Sequence, residues 1–367
     1  MRALVVNAGS STLKLSMIGP DDETLASTTV APGDTDEVGR FCAEHGPVDV
    51  SGHRIVHGGD QFSAPVMLDD AVMTSLEAFV ALAPLHQRAG IDGARTAMGA
   101  LPGVPALACF DTAFHVTLPE AASTYALPAA WRERWGIRRY GFHGLSHQWA
   151  SRRACEIAAL PVEGSRVVTC HLGSGSSACA VRDGRSMDTT MGFTPVEGLV
   201  MATRSGTVDP GLVMWLIRSA GLAPSELDEA LEHRSGLAAV SGTDGDMRNV
   251  MTAAAAGDDR ARLAIDVWAY RLRGAIGAMT AALGGIDALV FTGGIGEHQP
   301  ALRAQAAEGL SHLGVALDDE ANSQATGDAE VSRAGAACRA IVVTAREDLQ
   351  IARLVRRALV EPAGSAG

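Results

Sequence analysis

Lysine is almost absent from this sequence. Of its 30 basic residues all but Lys14 are arginine, and Lys14 lies beside a Gly/Ser-rich turn. The 42 acidic residues outnumber the basic ones and leave a net charge of −12. Because proteins that bind nucleic acid usually present a basic surface, this balance argues against nucleic acid as the main partner. A small anionic substrate held by a few arginines remains compatible with it.

The sequence also lacks long apolar runs. None approaches the roughly 18 residues that a membrane-spanning helix requires, so we expect no membrane partner. The first residues lead directly into a strand-like segment, without the apolar stretch of a secretory signal, and we expect a cytoplasmic protein. The six cysteines are widely spaced and form no C-x-x-C pair, which indicates reduced thiols.

What is present indicates an α/β protein of two or three domains. With 47% hydrophobic and 20% charged residues, the 367-residue chain has the composition of a globular protein. Residues 3–18 predict a strand, a Gly/Ser turn and a second strand, and residues 166–181 repeat that unit. The remaining pattern predicts helices at 70–83 (ended by Pro84), 259–283 and about 348–360, strands at 104–110, 286–292 and 339–344, and no clear element at 21–50. Two related halves that alternate strands and helices predict duplicated α/β domains around a central cleft.

Three glycine motifs follow predicted strands. The second, Gly173 to Ala178, matches the dinucleotide fingerprint G-x-G-x-x-A, but a strand rather than a helix follows it, which excludes a Rossmann site. No Walker A motif and no G-x-S-x-G elbow occurs. Each hairpin alone is compatible with an ordinary tight turn. Two such hairpins together with the loop Gly293–Gly296 favour phosphate binding, because each exposes several backbone N–H groups.

Charged side chains stand at the ends of two other predicted strands. His53 and His57 have the spacing of a helical zinc site, but the β-branched residues between them predict a strand, and we reject zinc. Arg54 on this apolar strand must be paired with a carboxylate or must bind an anion. Asp111 directly follows strand 104–110, a place typical of a catalytic or metal-binding carboxylate and also of a helix N-cap.

Two further stretches have the mixed composition of functional loops. Residues 140–147 combine aromatic residues, glycines and two histidines, and we interpret them as an active-site loop. Residues 203–210 form a turn-rich segment that carries Arg204. Phosphate-binding turns, isolated arginines and carboxylates after strands are together the components of a phosphoryl-transfer site.

These residues resemble one family in particular. The matching stretches, in chain order, are V-V-N-A-G-S-S-T-L-K (5–14), G-H-R-I-V-H-G-G (52–59), A-P-L-H (83–86), F-D-T-A-F-H (110–115), Y-G-F-H-G-L-S-H (140–147), H-L-G-S-G-S-S (171–177), M-G-F-T-P-V-E-G-L (191–199), T-R-S-G-T-V-D-P (203–210), F-T-G-G-I-G-E (291–297) and E-D-L-Q-I-A-R (347–353). They resemble the acetate kinase family, within the actin, hexokinase and chaperone-ATPase superfamily. The resemblance implies two actin-like domains, residues 1–115 with 348–362 and residues 116–347, the second binding nucleotide.

The resemblance also implies an activity and a set of site residues. The activity is the reversible transfer of the ATP γ-phosphoryl group to acetate with Mg²⁺ or, as an alternative, Mn²⁺, giving ADP and acetyl phosphate, in a homodimer. For the phosphate side it implies Asn7, Ser10, Thr12 and Lys14, and for the metal it implies Asp111 and Glu347 together with Asn7. It implies Arg54 and Arg204 as the transition-state arginines. It implies His143 as the donor to the transferred phosphoryl group, supported by His86 and His171. It implies an acetate methyl pocket of Val56, Leu85, Phe142 and Pro195. For the nucleotide it implies His171, Gly173, Ser174, Gly175, Asp246, Met247, Arg248, Gly293, Gly294, Ile295 and Gly296.

The sequence departs from the family pattern at Ser174, Thr12 and Arg346, and the segment 20–51 is short. Three alternatives stay open. The acid could be propionate or butyrate, because one methylene in an apolar pocket changes binding by only about 1–3 kcal/mol. A nucleotide-driven switch or filament protein would use the same kind of cleft, although it would not need Arg54, His143 and Arg204. A sugar kinase would need a general base, and Asp111 could serve as one.

Overall fold

The computed structural model describes residues 1–9 and 12–360, and for residues 81, 82 and 84–86 it describes the backbone only. The strands in these residues are β1 (Ala3–Ala8), β2 (Leu13–Ile18), β3 (Thr24–Val30), β4 (Val50–Ile55), β5 (Val66–Met67), β6 (Ala106–Phe110), β7 (Arg166–Leu172), β8 (Ser176–Arg182), β9 (Arg185–Thr189), β10 (Ala288–Thr292), β11 (Ala329–Glu330) and β12 (Arg339–Val342). The α-helices are α1 (Thr35–His45), α2 (Asp70–Ala78), α3 (Pro84–Ala100), α4 (Glu120–Ser123), α5 (Ala129–Trp135), α6 (Gly144–Ile157), α7 (Pro210–Arg218), α8 (Pro224–His233), α9 (Gly236–Ser241), α10 (Met247–Ala255), α11 (Asp259–Leu283), α12 (Gly293–His298), α13 (Pro300–Ala307), α14 (Asp319–Gln324) and α15 (Glu347–Val360).

The strands form two sheets of the same topology. The first has the order β3-β2-β1-β4-β6-β5 and the second the order β9-β8-β7-β10-β12-β11. In each, an antiparallel three-strand meander leads into two parallel strands and a short antiparallel edge strand. The predicted α/β class and the predicted duplication are therefore confirmed, and the second glycine motif lies in a hairpin turn, as the sequence predicts.

The chain divides into two compact units. The first unit comprises residues 1–116, 142–149 and 346–360, and the second comprises residues 117–141 and 150–345. In the first unit α15 packs on β1 and β4, and Gly52 permits that approach, because a Cβ atom there would lie 2.5 Å from Cγ2 of Ile351. In the second unit the long helix α11 covers β7 and β8 with buried residues that include Trp268, Leu272 and Ile276.

The segment 21–50, for which we predict no clear element, contains β3 and α1, so that prediction is wrong. Strand β3 lies at the edge of its sheet and is half-exposed, so its side chains do not alternate between apolar and polar. Helix α1 did carry a sequence signal, since the side chain of its N-cap residue Asp34 accepts from the backbone N–H of Glu37.

The strands predicted at 104–110, 286–292 and 339–344 are each two residues shorter in the structure, and three other predictions differ more. The α-helix predicted at 70–83 ends at Ala78, and Pro84 begins α3 instead of only ending its predecessor, because a proline suits the first helical position. Residues 293–296 are the first turn of α12 and not a loop. Of the predicted active-site loop 140–147, the residues from Gly144 onward belong to helix α6.

In the described residues, no helix is both long enough and apolar enough to cross a membrane. The six cysteines are free and buried.

Candidate active site

The carboxyl ends of three neighbouring strands meet in the first unit. Strands β1, β4 and β6 run parallel, with Val6 opposite His53 and Ile55 opposite Phe110. This register brings Asn7, Arg54 and Asp111 to one edge of the sheet, where functional side chains of α/β proteins commonly lie. Glu347, the first residue of α15, joins them.

Arg54 is the centre of this cluster. Its Nη2 lies 2.7 Å from Oδ2 of Asp111 and its Nε lies 3.0 Å from Oδ1, so the guanidinium donates to both carboxylate oxygens. Its Nη1 lies 3.2 Å from Oε2 of Glu347 and 3.4 Å from Oδ1 of Asn7. The amide of Asn7 in turn donates to Glu347 over 3.4 Å. Four of the residues implied for the metal and phosphate side are thus in direct contact.

Burial makes these charges strongly dependent on one another. The side chain of Asp111 is 2% exposed, that of Glu347 13% and that of Arg54 20%. Burial alone would lower the pKa of Arg54, but the carboxylates of Asp111 and Glu347 outweigh it and raise the pKa above its ordinary value. The cluster therefore holds one fixed positive charge between two acidic groups.

The position of His143 is fixed by a close contact between the backbone at Gly144 and the backbone at Asp111. The N–H of Gly144 donates to the carbonyl of Asp111 over 2.9 Å, and a Cβ atom at Gly144 would lie 2.2 Å from that oxygen. Glycine is required there for the two segments to touch. His143 itself has a φ of +57°, which is uncommon for a residue other than glycine and often marks a functional position. The half-buried ring lies 6.5 Å from the ring of His147 on α6.

The turn between β1 and β2 carries the remaining residues implied for the phosphate side. The N–H of Gly9 donates to the carbonyl of Thr12 over 2.8 Å, and Thr12 is exposed. Lys14 is exposed directly opposite Asn7, and cross-strand partners share one face of a sheet. Ser10 lies outside the described residues.

Of the residues implied for the acetate methyl group, two lie in the first unit with described side chains. Val56 is half-buried just beyond β4. Phe142 is buried, and its ring meets His57 edge-on at 5.5 Å. Leu85 and His86 occupy the first turn of α3, and their side chains lie outside the described residues. Pro195 is a buried residue of the second unit.

Gln87 is a residue that sequence reasoning missed. It is fully buried, and its Oε1 accepts from the N–H of His57 over 2.9 Å while its Nε2 donates to the carbonyl of His57 over 3.0 Å. The amide thus fixes the backbone directly after Val56. No sequence pattern marks it, because the two residues lie 30 positions apart.

In the second unit, β7 and β10 end side by side, with His171 opposite Thr292. Gly293 follows with a φ of +77°, and a Cβ atom there would lie 2.8 Å from the carbonyl oxygen of Leu172. Only glycine permits this contact between the two strand ends. The turn after β7 is closed by the N–H of Gly173, which donates to the carbonyl of Gly175 over 3.1 Å.

A cavity of about 440 Å³ opens at Gly173 and Gly294, in the two segments that follow β7 and β10. Seven of the residues implied for the nucleotide line it: Gly173, Ser174, Asp246, Met247, Arg248, Gly294 and Ile295. His171, Gly175, Gly293 and Gly296 are not among its lining residues. Sequence reasoning missed Ala202, Asp244, Gly245, His298 and Gln299, which also line it. A volume of this size is typical of a small-molecule site.

Asp246 and Arg248 lie at the rim of this cavity as a pair. The Asp246 carboxylate caps α10 by accepting from the N–H of Arg248 over 2.9 Å, and it also accepts from the Arg248 guanidinium. The hydrogen bonds from Arg248 lower the pKa of Asp246 to about 2. This carboxylate therefore stays ionised beside the cavity at neutral pH.

Arg204 contrasts with Arg54. Its Nη1 donates to the carbonyl of Pro195 over 2.9 Å, and within residues 1–9 and 12–360 it forms no ion pair. Burial lowers the pKa of Arg204, and Glu232 offsets this only in part. A half-buried guanidinium without a carboxylate partner is suited to bind an anion.

An arginine that contacts two carboxylates at strand ends in the first unit, and a cavity at glycine turns in the second, are each features of phosphotransferases of the α/β class. Comparison with known proteins names the family. The model of the Acetokinase family matches residues 38–353. The chain belongs to the acetokinase family.

Individual relatives agree with this assignment. An acetate kinase of Leifsonia xyli subsp. xyli is 45% identical over 392 aligned residues, which cover 97% of this chain and 98% of the relative. The crystal structure of Porphyromonas gingivalis acetate kinase has a TM-score of 0.89 at 35% identity, covering 98% of this chain and 99% of that one. The crystal structure of a propionate kinase from Francisella tularensis subsp. tularensis has a TM-score of 0.89 at 34% identity, covering 96% and 98%.

Proposed function

We propose that this protein transfers the γ-phosphoryl group of ATP to acetate and forms acetyl phosphate and ADP, in a reversible reaction that depends on Mg²⁺. Membership of the acetokinase family supports the reaction class. One observation favours a carboxylate over a hydroxyl group as the phosphoryl acceptor. Both carboxylate oxygens of Asp111 accept from Arg54, so Asp111 is already paired. A sugar kinase needs a carboxylate that is free to take a proton from a hydroxyl group, whereas acetate is already ionised at neutral pH.

The donor set in the first unit fits a magnesium ion. Asp111, Glu347 and the amide oxygen of Asn7 are hard oxygen ligands, and Mg²⁺ is usually held by one or two carboxylates together with phosphate oxygens and water. In the described part of the chain, no group of three or more His, Cys, Asp and Glu side chains is close enough to hold a metal by itself. Mg²⁺ at these residues would shield the phosphate charge from the incoming carboxylate, and Mn²⁺ accepts the same ligands.

The chemistry assigned to the chain is direct in-line transfer. A carboxylate oxygen of acetate forms a bond to the γ-phosphorus while the bond to the β,γ-bridging oxygen breaks, and ADP leaves with that electron pair. Because no proton moves at acetate, the protein has to orient two anions and neutralise their charge. We assign this role to Arg54 and Arg204, with His143 as a hydrogen-bond donor to the phosphoryl oxygens.

We assign the remaining roles to each unit separately. The cavity of the second unit holds the nucleotide, with Ser174 at its exposed edge. We assign Lys14 and Thr12 to the phosphate side, and Val56 and Phe142 to the acetate methyl group. The roles that the resemblance implies for Ser10, Leu85 and Pro195 stay predictions. The two actin-like domains that the resemblance implies, residues 1–115 with 348–362 and residues 116–347, stay a prediction. ATP-dependent chemistry and six free cysteines fit a cytoplasmic location.

A second copy of the chain is the proposed partner. Helix α7 has the sequence P-G-L-V-M-W-L-I-R, and none of its residues is buried. Leu212, Met214 and Trp215 are 46%, 42% and 56% exposed. Because an exposed apolar helix of this kind marks an interaction surface, we place the homodimer contact at α7. Sedimentation should give a dimer for the natural chain and a monomer for Trp215→Glu.

The activity is tested by trapping the product. Purified protein is incubated with Mg-ATP, hydroxylamine and either acetate, propionate, butyrate or glycerol, and acyl hydroxamate is measured. Acetate should give the highest kcat/KM, and a higher value with propionate would instead assign a propionate kinase, like the Francisella relative. ATP hydrolysis that is independent of any acid would contradict the proposal and favour a nucleotide-driven switch.

A further inference from the structure

The segment between β9 and α7 is held by three side chains that the proposed function does not use. These are Tyr125, Arg139 and Glu197, which we call the anchor triad. Nη2 of Arg139 lies 2.7 Å from Oε1 of Glu197, and the hydroxyl of Tyr125 donates to Oε2 of Glu197. The Arg139 guanidinium also lies 5.6 Å from the centre of the Tyr125 ring. Each member therefore contacts both others.

The triad binds the backbone that leads to Pro195. Nη1 of Arg139 donates to the carbonyls of Thr189, Thr190 and Met191, each over 3.1 Å. The N–H of Phe193 donates to the hydroxyl of Tyr125 over 3.0 Å. Phe193 is thus tied to the triad two residues before Pro195, and Glu197 is itself a member two residues after it.

Pro195 is the residue that holds Arg204. The Pro195 carbonyl accepts from Nη1 of Arg204 over 2.9 Å, and among the described residues this carbonyl is the partner of that guanidinium in place of a carboxylate. A shift of the 193–197 backbone therefore moves the acceptor that orients Arg204. Pro195 is thus flanked by two residues that Tyr125 contacts, Phe193 before it and Glu197 after it.

The backbone at Gly192 lies directly against two members of the triad. A Cβ atom at Gly192 would lie 1.8 Å from Oε2 of Glu197 and 2.1 Å from the Tyr125 hydroxyl. Burial, and next the hydrogen bond to the Glu197 carboxylate, raise the pKa of Tyr125 above its ordinary value. Tyr125 therefore remains a hydrogen-bond donor throughout the physiological pH range.

We infer that Glu197, held by Tyr125 and Arg139, is a positioning residue that sets the orientation of the Arg204 guanidinium through Pro195. The inference rests on the proposed function only in taking Arg204 as a group that contacts the transferred phosphoryl group. Glu197 itself touches neither substrate nor metal in this assignment.

Glu197→Gln tests this with little change of shape. Arg139 and the Tyr125 hydroxyl donate to different oxygens of Glu197, and in glutamine one of these two positions carries an NH₂ group, which donates instead of accepting. We expect kcat to fall roughly tenfold to a hundredfold, since misplacement by about 1 Å can cost about 10²-fold. Tyr125→Phe removes the hydroxyl that joins Phe193 to Glu197 and should act in the same direction. If Glu197→Gln folds poorly, the kcat of Tyr125→Phe still tests the inference.

Glu330→Gln is the matched control. Glu330 pairs with Arg339 in the same unit, and its side chain is 28% exposed against 32% for Glu197. We expect kcat and unfolding temperature close to those of the natural chain. An unchanged kcat in Glu197→Gln and Tyr125→Phe, beside an active natural chain, would overturn the inference. A natural chain that forms no acyl hydroxamate from any acid would instead refute the proposed function.

A double-mutant cycle separates positioning from general destabilisation. Arg204→Lys keeps the charge but lacks the planar guanidinium that Pro195 orients. If Glu197 acts through Arg204, Glu197→Gln should lower kcat much less in the Arg204→Lys background than in the natural chain. Equal fold-losses in both backgrounds would show that Glu197 acts independently of Arg204, and the inference would be wrong.

Discussion

Arg54 and Asp111 form a two-pronged ion pair, with Nη2 of Arg54 2.7 Å from Oδ2 of Asp111 and Nε 3.0 Å from Oδ1. The carboxylate is 2% exposed, so it depends on Arg54 for compensation of its charge. Removal of Arg54 therefore has two consequences, the loss of a group that acts on the substrate and the loss of a positive charge that contacts both oxygens of a buried carboxylate. Any experiment on this arginine has to distinguish them.

A second substitution, at Asp111, separates these two consequences. Arg54→Ala should lower kcat by roughly 10³-fold or more. It should also lower the free energy of unfolding by about 3–5 kcal/mol, the usual effect of breaking a buried pair. Arg54→Ala combined with Asp111→Asn should recover much of that stability, because asparagine is neutral, and none of the activity. Urea denaturation and hydroxamate formation measure the two effects.

Two outcomes would contradict this view of the pair. If Arg54→Ala unfolded at the same urea concentration as the natural chain, Asp111 would not depend on Arg54 for its stability. If the double variant regained activity, Arg54 would serve only to compensate Asp111.

Arg204 should behave differently, because within residues 1–9 and 12–360 no carboxylate forms an ion pair with it. Its contact in the second unit is with the carbonyl of Pro195. Arg204→Ala should therefore lower kcat by about 10³–10⁵-fold, as for transition-state arginines, while the unfolding temperature changes little. Arg166, which pairs with Asp287 on the same unit, is the control, and Arg166→Ala should retain kcat. Near-normal turnover of Arg204→Ala would refute the role assigned to Arg204.

The sequence predicts the parts of the fold whose signal is local. The β1–β2 and β7–β8 hairpins follow from strand runs broken by Gly and Ser, and the alanine-rich composition of residues 259–283 predicts α11 with its observed limits. Strand β3 escaped prediction because an exposed edge strand carries no alternation. The helical start of α12 escaped because glycines predict a loop, whereas here Gly293 is needed for a close contact with Leu172.

The residues of the candidate site also differ in whether a local sequence signal marks them. Arg54 and Asp111 stand out in the sequence because a charge within or directly after an apolar strand requires an explanation. Tyr125, Glu197 and Gln87 do not stand out, because their importance comes from partners 72 and 30 positions away. A polar residue in a half-polar segment gives no sign of the backbone that it will bind once the chain has folded.

The single lysine allows a direct test of the phosphate-side turn. Lys14 is exposed and lies opposite Asn7, which contacts Arg54 and Glu347. An amine-reactive acetylating reagent should modify Lys14 and lower activity, and Mg-ATP should slow both changes. Mass spectrometry of the peptides separates Lys14 from the N-terminal amine. Lys14→Arg should resist inactivation by the reagent, and inactivation of this variant at the natural rate would show that Lys14 is not the group responsible.

The pH dependence of stability should report on a buried histidine beside the site. His53 is 1% exposed, its Nε2 lies 3.0 Å from Oγ of Ser51, and its Nδ1 has no hydrogen-bond partner among the described residues. Burial lowers the pKa of His53 to about 4. Between pH 4 and the ordinary value near 6.5, the unfolded chain therefore binds a proton at this residue that the folded chain does not. The contribution to stability is complete above about pH 6.5 and is lost progressively as the pH falls towards 4.

Urea denaturation from pH 4 to pH 8 measures this contribution. His53→Gln should make the free energy of unfolding less steep with pH by up to one proton, or about 1.4 kcal/mol per pH unit near pH 5. Ser51→Ala removes the hydroxyl that contacts the imidazole but keeps the buried ring, and it should keep the steeper dependence. If His53→Gln and the natural chain showed the same slope, His53 would bind its proton equally in the folded and the unfolded protein, and burial would not lower its pKa.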